Sequence, residues 1–103
     1  MRFLLKITVP TEVGNAAIKD GSFMERVQSI VATMQPECAY FTAINGERGA
    51  YFVLRLDDAH QIPLIAEPFF LGLNCTVEMI PVMVAEDLAR ASESFPHIIE
   101  TYG

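Results

Sequence analysis

An α+β fold built on a four-stranded antiparallel sheet is predicted from three observations in the sequence. "RFLLKITV", residues 2–9, alternates Phe3, Leu5, Ile7 and Val9 with Arg2, Leu4, Lys6 and Thr8, the period of a half-buried strand. "ECAYFTAI" (37–44) and "AYFVLRL" (50–56) are rich in aromatic and β-branched residues and flank "NGERG", where Asn45-Gly46 tolerates the positive φ of a hairpin turn. Between Thr11 and Met34, Val13, Ala17, Met24, Val27, Ile30, Val31 and Met34 recur every three or four residues, the spacing of an amphipathic helix.

Taken in order, strand 1 ends at Pro10, which lacks a ladder donor, and Thr11 is placed to cap the first helix. That helix is expected to run continuously from 11 to 34, although Gly21 weakens it and Ser22 with Glu25 has the spacing of a capping box. The hairpin of strands 2 and 3 follows, with Gly49 expected to allow a bulge. Asp57 or Asp58 then caps a second helix that buries Ile62, Ile65, Ala66 and Phe69, shortened or broken by Pro63 and Pro68. Gly72 and Asn74 release the chain into strand 4 (74–83), and Glu86 and Asp87 suit the first turn of a last helix because acids are favoured at its positive end. The tail "SESFPHIIETYG" is too apolar for a free end and is expected to pack on something.

The 103 residues make one domain, with residues 1–83 as a β-α-β-β-α-β core and 84–103 as a C-terminal helix and packed tail. This order is the ferredoxin-like split unit, a sheet ordered 4-1-3-2 with helices on one face. A net charge of −6 with seven scattered basic residues offers no patch for a phosphate backbone, so neither nucleic acid nor an anionic membrane is an expected partner. The apolar run at the N-terminus is broken by Lys6 and Pro10, too short for a spanning helix, and a cytoplasmic protein is expected. Cys38 and Cys75 fit no disulfide framework, and as the two sheet edges carry them they lie too far apart to bond.

Strand parity sorts the side chains into two faces. Phe3, Leu5, Ile7, Val9, Phe52, Leu54, Leu56, Cys75, Val77 and Met79 should meet the helices. The opposite face carries Leu4, Lys6, Thr8, Tyr40, Thr42, Ile44, Tyr51, Val53, Arg55, Thr76, Glu78, Ile80 and Val82. Seven of these are large and apolar or aromatic. Covering roughly 600 Å² of them would gain about 15 kcal/mol before association costs. A homodimer packed through this open sheet face is the simplest cover.

On "RFLLKITV", the hairpin "YFTAINGERGAYFVL" and "AEPFFLGLNCTVEMIPVM", the chain over residues 1 to about 90 resembles the dimeric α+β barrel superfamily, which includes muconolactone isomerases and cofactor-independent monooxygenases. It is most similar there to small bacterial proteins of that fold. The resemblance implies two ferredoxin-like units with their open faces packed into a barrel, and a small organic ligand held in a cleft of each protomer or inside the barrel. The chain has no Trp, which several monooxygenase-type relatives carry in the cleft.

The expected function is binding of a small organic metabolite, acidic or aromatic, with a cofactor-independent isomerase or monooxygenase-like enzyme as the alternative. Glu78, a lone acid in the apolar strand "CTVEMIPVM", shares the open face with Lys6 and Arg55. The two cations, expected side by side, suit a carboxylate ligand, with Glu78 as a proton-transfer group; the competing reading is a self-neutralising ion-pair network inside a dimer. Tyr40 and Tyr51 could offer hydroxyls to a ligand or serve the interface. His60 and Glu67, seven apart, would share a helical face as an acid/base pair, against the commoner reading of a surface His. Phe69 and Phe70 either wall a ligand or close the core. No metal-ligand spacing and no glycine-rich phosphate loop is present, so no cofactor is expected.

Overall fold

Strand parity is realised directly in the sheet. In a computed structural model describing residues 1–103, β1 (Arg2–Val9), β2 (Cys38–Ile44), β3 (Glu47–Arg55) and β4 (Thr76–Val82) form one open antiparallel sheet in the order β2-β3-β1-β4. Helices α1 (Thr11–Asp20), α2 (Phe23–Met34) and α3 (Gln61–Leu73) belong to the split βαββαβ unit, and α4 (Ala85–Ser92) and α5 (Phe95–Tyr102) follow it. The fold is thus α+β and ferredoxin-like. No helix is long and apolar enough to cross a membrane.

The core lies between the sheet and α1–α3. Phe52, Leu5 and Leu54 from the two central strands are fully buried, and Ile30, Met34, Phe69 and Leu73 from α2 and α3 cover them. Phe52 stacks edge-on against Phe41, with ring centroids 5.8 Å apart, and meets Phe69 at the same distance. Such aromatic pairs add roughly 0.5–1.5 kcal/mol each beyond area burial. All ten residues assigned to the helix side belong to this core or pack against it.

The expected single helix over 11–34 is two helices. Gly21 adopts φ 80° and donates to the Ile18 carbonyl, while Ser22 donates to that of Ala17. This pair of bonds is a left-handed C-terminal cap, which glycine adopts without a Cβ penalty. Apolar periodicity carries through such a break, because both helices must bury a stripe on the same sheet. The expected side-chain caps also fail: α1 starts after Pro10 with Thr11 already helical, and neither Ser22 nor an aspartate caps α2 or α3. Before α3 the roles reverse, as Gln61 Oε1 accepts the amides of Asp57 and Asp58 at 2.7 and 2.9 Å.

Helix α3 is neither short nor broken. Pro63 sits in its first turn, where an amide has no helical partner anyway, and only Pro68 removes a helical donor. Asn74, at φ 51°, ends the helix and turns the chain into β4. Pro81 is tolerated in β4 because that strand is an edge.

Asn45 and Gly46, both at positive φ, form the two-residue hairpin turn. The expected bulge at Gly49 is absent, as β2 and β3 pair without a slip from Ile44↔Glu47 to Cys38↔Val53. Gly49 serves close packing instead. A Cβ there would lie 2.6 Å from Ile44 Cδ1 and 2.8 Å from the Ile7 carbonyl oxygen, so Ile44 folds over the glycine and is buried on the open face.

The C-terminal segment does not pack within this chain. Neither α4 nor α5 has a buried residue, and the molecule measures 61 × 28 × 20 Å with a radius of gyration of 17.6 Å. A compact chain of this length has about 13 Å. α4 and α5 form an arm beyond the sheet.

Gly49→Ala is expected to lower unfolding stability by about 1–3 kcal/mol, because one of the atoms it meets is backbone and cannot swing aside. A urea midpoint equal to that of the parent chain would contradict this reading of Gly49.

Candidate functional site

The strand registers place four of the sequence-derived candidates in one row across the open face. Tyr40 pairs with Tyr51, Tyr51 with Lys6, and Lys6 with Glu78. At about 4.8 Å per strand the row spans roughly 14 Å, from an exposed phenol on one edge to an exposed carboxylate on the other. Each hydroxyl, ammonium or carboxylate is thereby held by a rigid strand, not by a loop.

Lys6 and Glu78 face each other without closing into an ion pair. The ion pairs of the chain are Arg2–Glu37, Asp87–Arg90 and the histidine contacts Asp58–His60 and Glu100–His97. A polar hollow of about 110 Å³ lies at this end of the row, lined by Lys6, Thr8, Asn45, Thr76 and Glu78. Both charges are free to serve a group placed over the sheet.

Arg55 does not join this row. It is opposite Arg2, four residues along β1 from Lys6, or roughly 13 Å at about 3.4 Å per residue. The expected juxtaposition of Lys6 and Arg55 is therefore corrected: they share a face but sit at opposite ends of it. Parity fixes the face of a residue, whereas its position along the strand depends on register between segments distant in sequence.

The His60/Glu67 pair does not form a shared helical face either. His60 precedes α3, its Nδ1 lies 3.3 Å from Asp58 Oδ1, and its side chain is largely exposed. Glu67 is exposed within α3. Phe69 is core, stacked on Phe52, while Phe70 beside it is partly exposed on the outer surface of α3. Adjacent residues on a helix point about 100° apart, so the two rings cannot wall one pocket.

A second cluster was not anticipated. On the helix side, Phe23, Phe41, Phe52 and Phe69 surround an apolar recess of only about 40 Å³, with Arg48 at its rim. Arg48 stands over the Phe23 ring at 5.9 Å and donates to Asn15 Oδ1 at 3.0 Å. The recess holds about one water molecule and is a seam in the core, too small for an organic ligand. Its signal in the sequence was Arg48 at a position whose parity matches the buried Ala50, Phe52 and Leu54.

No protein-family model and no curated protein matches the chain. Among solved structures, the de novo designed protein Ferredog-Diesel is similar at 10% identity and a TM-score of 0.44, over 79% of this chain and 85% of that one.

Both cysteines are free thiols, and burial pushes that of Cys75 up to about 11. In the unfolded chain the thiol ionises from its ordinary 9.0. Stability linked to Cys75 is therefore complete below about pH 9 and is lost as pH rises toward 11. At pH 8, a thiol reagent is expected to label half-exposed Cys38 and to leave Cys75 unmodified until denaturant is added; equal labelling rates would refute its burial.

Proposed function

We propose that the chain is a homodimeric binding module for a small acidic or aromatic organic molecule, of the dimeric α+β barrel type. The observation that carries this reading is the row Tyr40–Tyr51–Lys6–Glu78 on an uncovered, largely apolar sheet face. Two open faces packed together would remove water from the row, so that Lys6 supplies charge to a carboxylate and the phenols supply hydrogen bonds and ring surface.

Area arithmetic favours a dimer that also uses the arm. Roughly 600 Å² a side from the open face reaches only the lower limit of a stable interface, about 1,200 Å² in total. The arm carries Leu88, Phe95, Ile98, Ile99 and Tyr102 in exposed positions along α4 and α5. Laid on a second copy, these residues bring the interface well into the stable range. Free thiols at Cys38 and Cys75 suit a reducing, cytoplasmic setting.

A second reading, a cofactor-independent enzyme, draws on Glu78 standing opposite Lys6 without an ion pair. In a dry barrel such a carboxylate can take a proton from a bound acidic C–H or O–H group while the ammonium offsets the charge formed.

Sedimentation at micromolar concentration is expected to find a dimer, and Ile98→Glu with Ile99→Glu to weaken association roughly tenfold or more while circular dichroism stays unchanged. A parent chain that sediments as a monomer at these concentrations overturns the dimer. In a thermal-shift screen of small aromatic and aliphatic acids, a stabilising ligand should lose its effect in Lys6→Ala and weaken in Tyr51→Phe. Ligand shifts unaltered by either change would place binding elsewhere.

A further inference from the structure

Arg2, Arg55 and Arg90 converge on a cleft of about 460 Å³ at the root of the arm, also lined by Met1, Pro81, Val82, Met83 and Asp87. We propose that this cleft is a binding site for a small organic polyanion, a di- or tricarboxylate, separate from the row of tyrosines and Lys6. Three structural facts carry it.

The first is an electrostatic conflict. Arg2 and Arg55 are direct cross-strand neighbours, an arrangement of like charges that destabilises an antiparallel pair. Arg2 is relieved by Glu37, whose two carboxylate oxygens each accept from its Nε at 3.1 Å. Arg55 has no ion-pair or side-chain hydrogen-bond partner. In a chain with net charge −6, an exposed guanidinium set against another and left unmatched calls for an anion from outside.

The second is the state of the one acid in the lining. Asp87 Oδ2 accepts the Val84 amide at 3.2 Å and Oδ1 accepts from Arg90 at 3.4 Å, so it is committed to holding the first turn of α4. Three guanidiniums against Asp87 and the Glu37 that engages Arg2 leave an excess of one positive charge, carried by Arg55.

The third is donor geometry and size. Guanidinium forks bind carboxylates bidentately, and three of them on two strands and a helix present donors from separate directions. A monovalent acid can satisfy only one fork, whereas a di- or tricarboxylate can bridge the strands to α4. The volume is that of an ordinary small-ligand site. Because Arg90 comes from the arm, a bridging ligand clamps α4 against the sheet.

Citrate is the probe. Titrated calorimetrically into the full chain at fixed ionic strength, it is expected to bind saturably, and acetate at the same concentration to give no saturable heat. Arg55→Ala and, separately, Arg90→Ala should each weaken citrate roughly tenfold or more, with Arg55→Lys falling between. Arg90 is exposed on α4, so its replacement leaves the folded core intact. Hydrogen exchange of Ala85–Ser92 should slow on adding citrate to the parent chain and stay unchanged in Arg90→Ala. Citrate affinity equal in parent and Arg55→Ala, equal binding of acetate, or arm exchange indifferent to citrate overturns the site. None of these readouts depends on Lys6. Because Arg2 and Arg55 lie on the open face that the proposed dimer would cover, the titration is repeated on the Ile98→Glu, Ile99→Glu chain. Retained citrate binding there separates this site from the dimer, and lost binding overturns it as a site of the single chain.

Discussion

The position of β1 between β3 and β4 is the constraint on which the rest of this structure depends. Antiparallel pairing on both sides leaves each β1 residue one degree of choice, its face, and the alternation of "RFLLKITV" makes that choice for the whole sheet. Leu5, Ile7 and Val9 turn to the helices and draw Phe52, Leu54 and Cys75 with them into the core. Lys6 is thereby committed to the far face, and Tyr51 and Glu78 are brought to it from segments more than forty residues away in sequence. A slip of one residue would bury the ammonium and expose the core set, so core formation and site assembly are one event.

Much of the fold was legible in the sequence, for physical reasons that can be named. The strands, the Asn45-Gly46 hairpin, the sheet order and the helix-facing set follow from alternation and turn chemistry, both written in contiguous residues. The row of Tyr40, Tyr51, Lys6 and Glu78 was legible as a set of residues on one face. That Glu78 lies beside Lys6 followed from the strand order, but the alignment of Tyr40 and Tyr51 with them did not, because cross-strand register is a relation between segments. The same limit misplaced Arg55 beside Lys6 and hid its conflict with Arg2. The stop at Gly21 was visible as a weak point, yet the apolar stripe on both sides of it spoke for continuity, and a backbone cap left no polar signature to weigh against that. Arg90 could not be assigned to any site from sequence, since it reaches the cleft through the path of the arm.

The molecule divides its polar chemistry between two ends of one sheet face. The row lies among Thr8, Thr76 and Asn45 toward the hairpin end, while the arginine cleft lies by Val82 and the root of α4. Between them the face is apolar, with Leu4, Val53 and Ile80 in successive strands. Such a strip contributes burial to association without adding a charge that must be matched. The face carries two unmatched cations, Lys6 and Arg55, and the acid Glu78, whereas all the chain's other acids but Glu47 lie on helices and loops.

Pro81 carries a further consequence. A proline in an edge strand leaves its missing donor on the outward side, so the free margin of β4 is interrupted where an added strand would need a hydrogen bond. The margin of β2 has no such interruption and carries Phe41 and Tyr40 in exposed positions. Ribbon growth by edge addition is therefore one-sided: two copies can join along β2, and the assembly they make offers only proline-blocked margins to a third. A sheet with a single joinable margin is in this way denied the means of lengthening into a fibre.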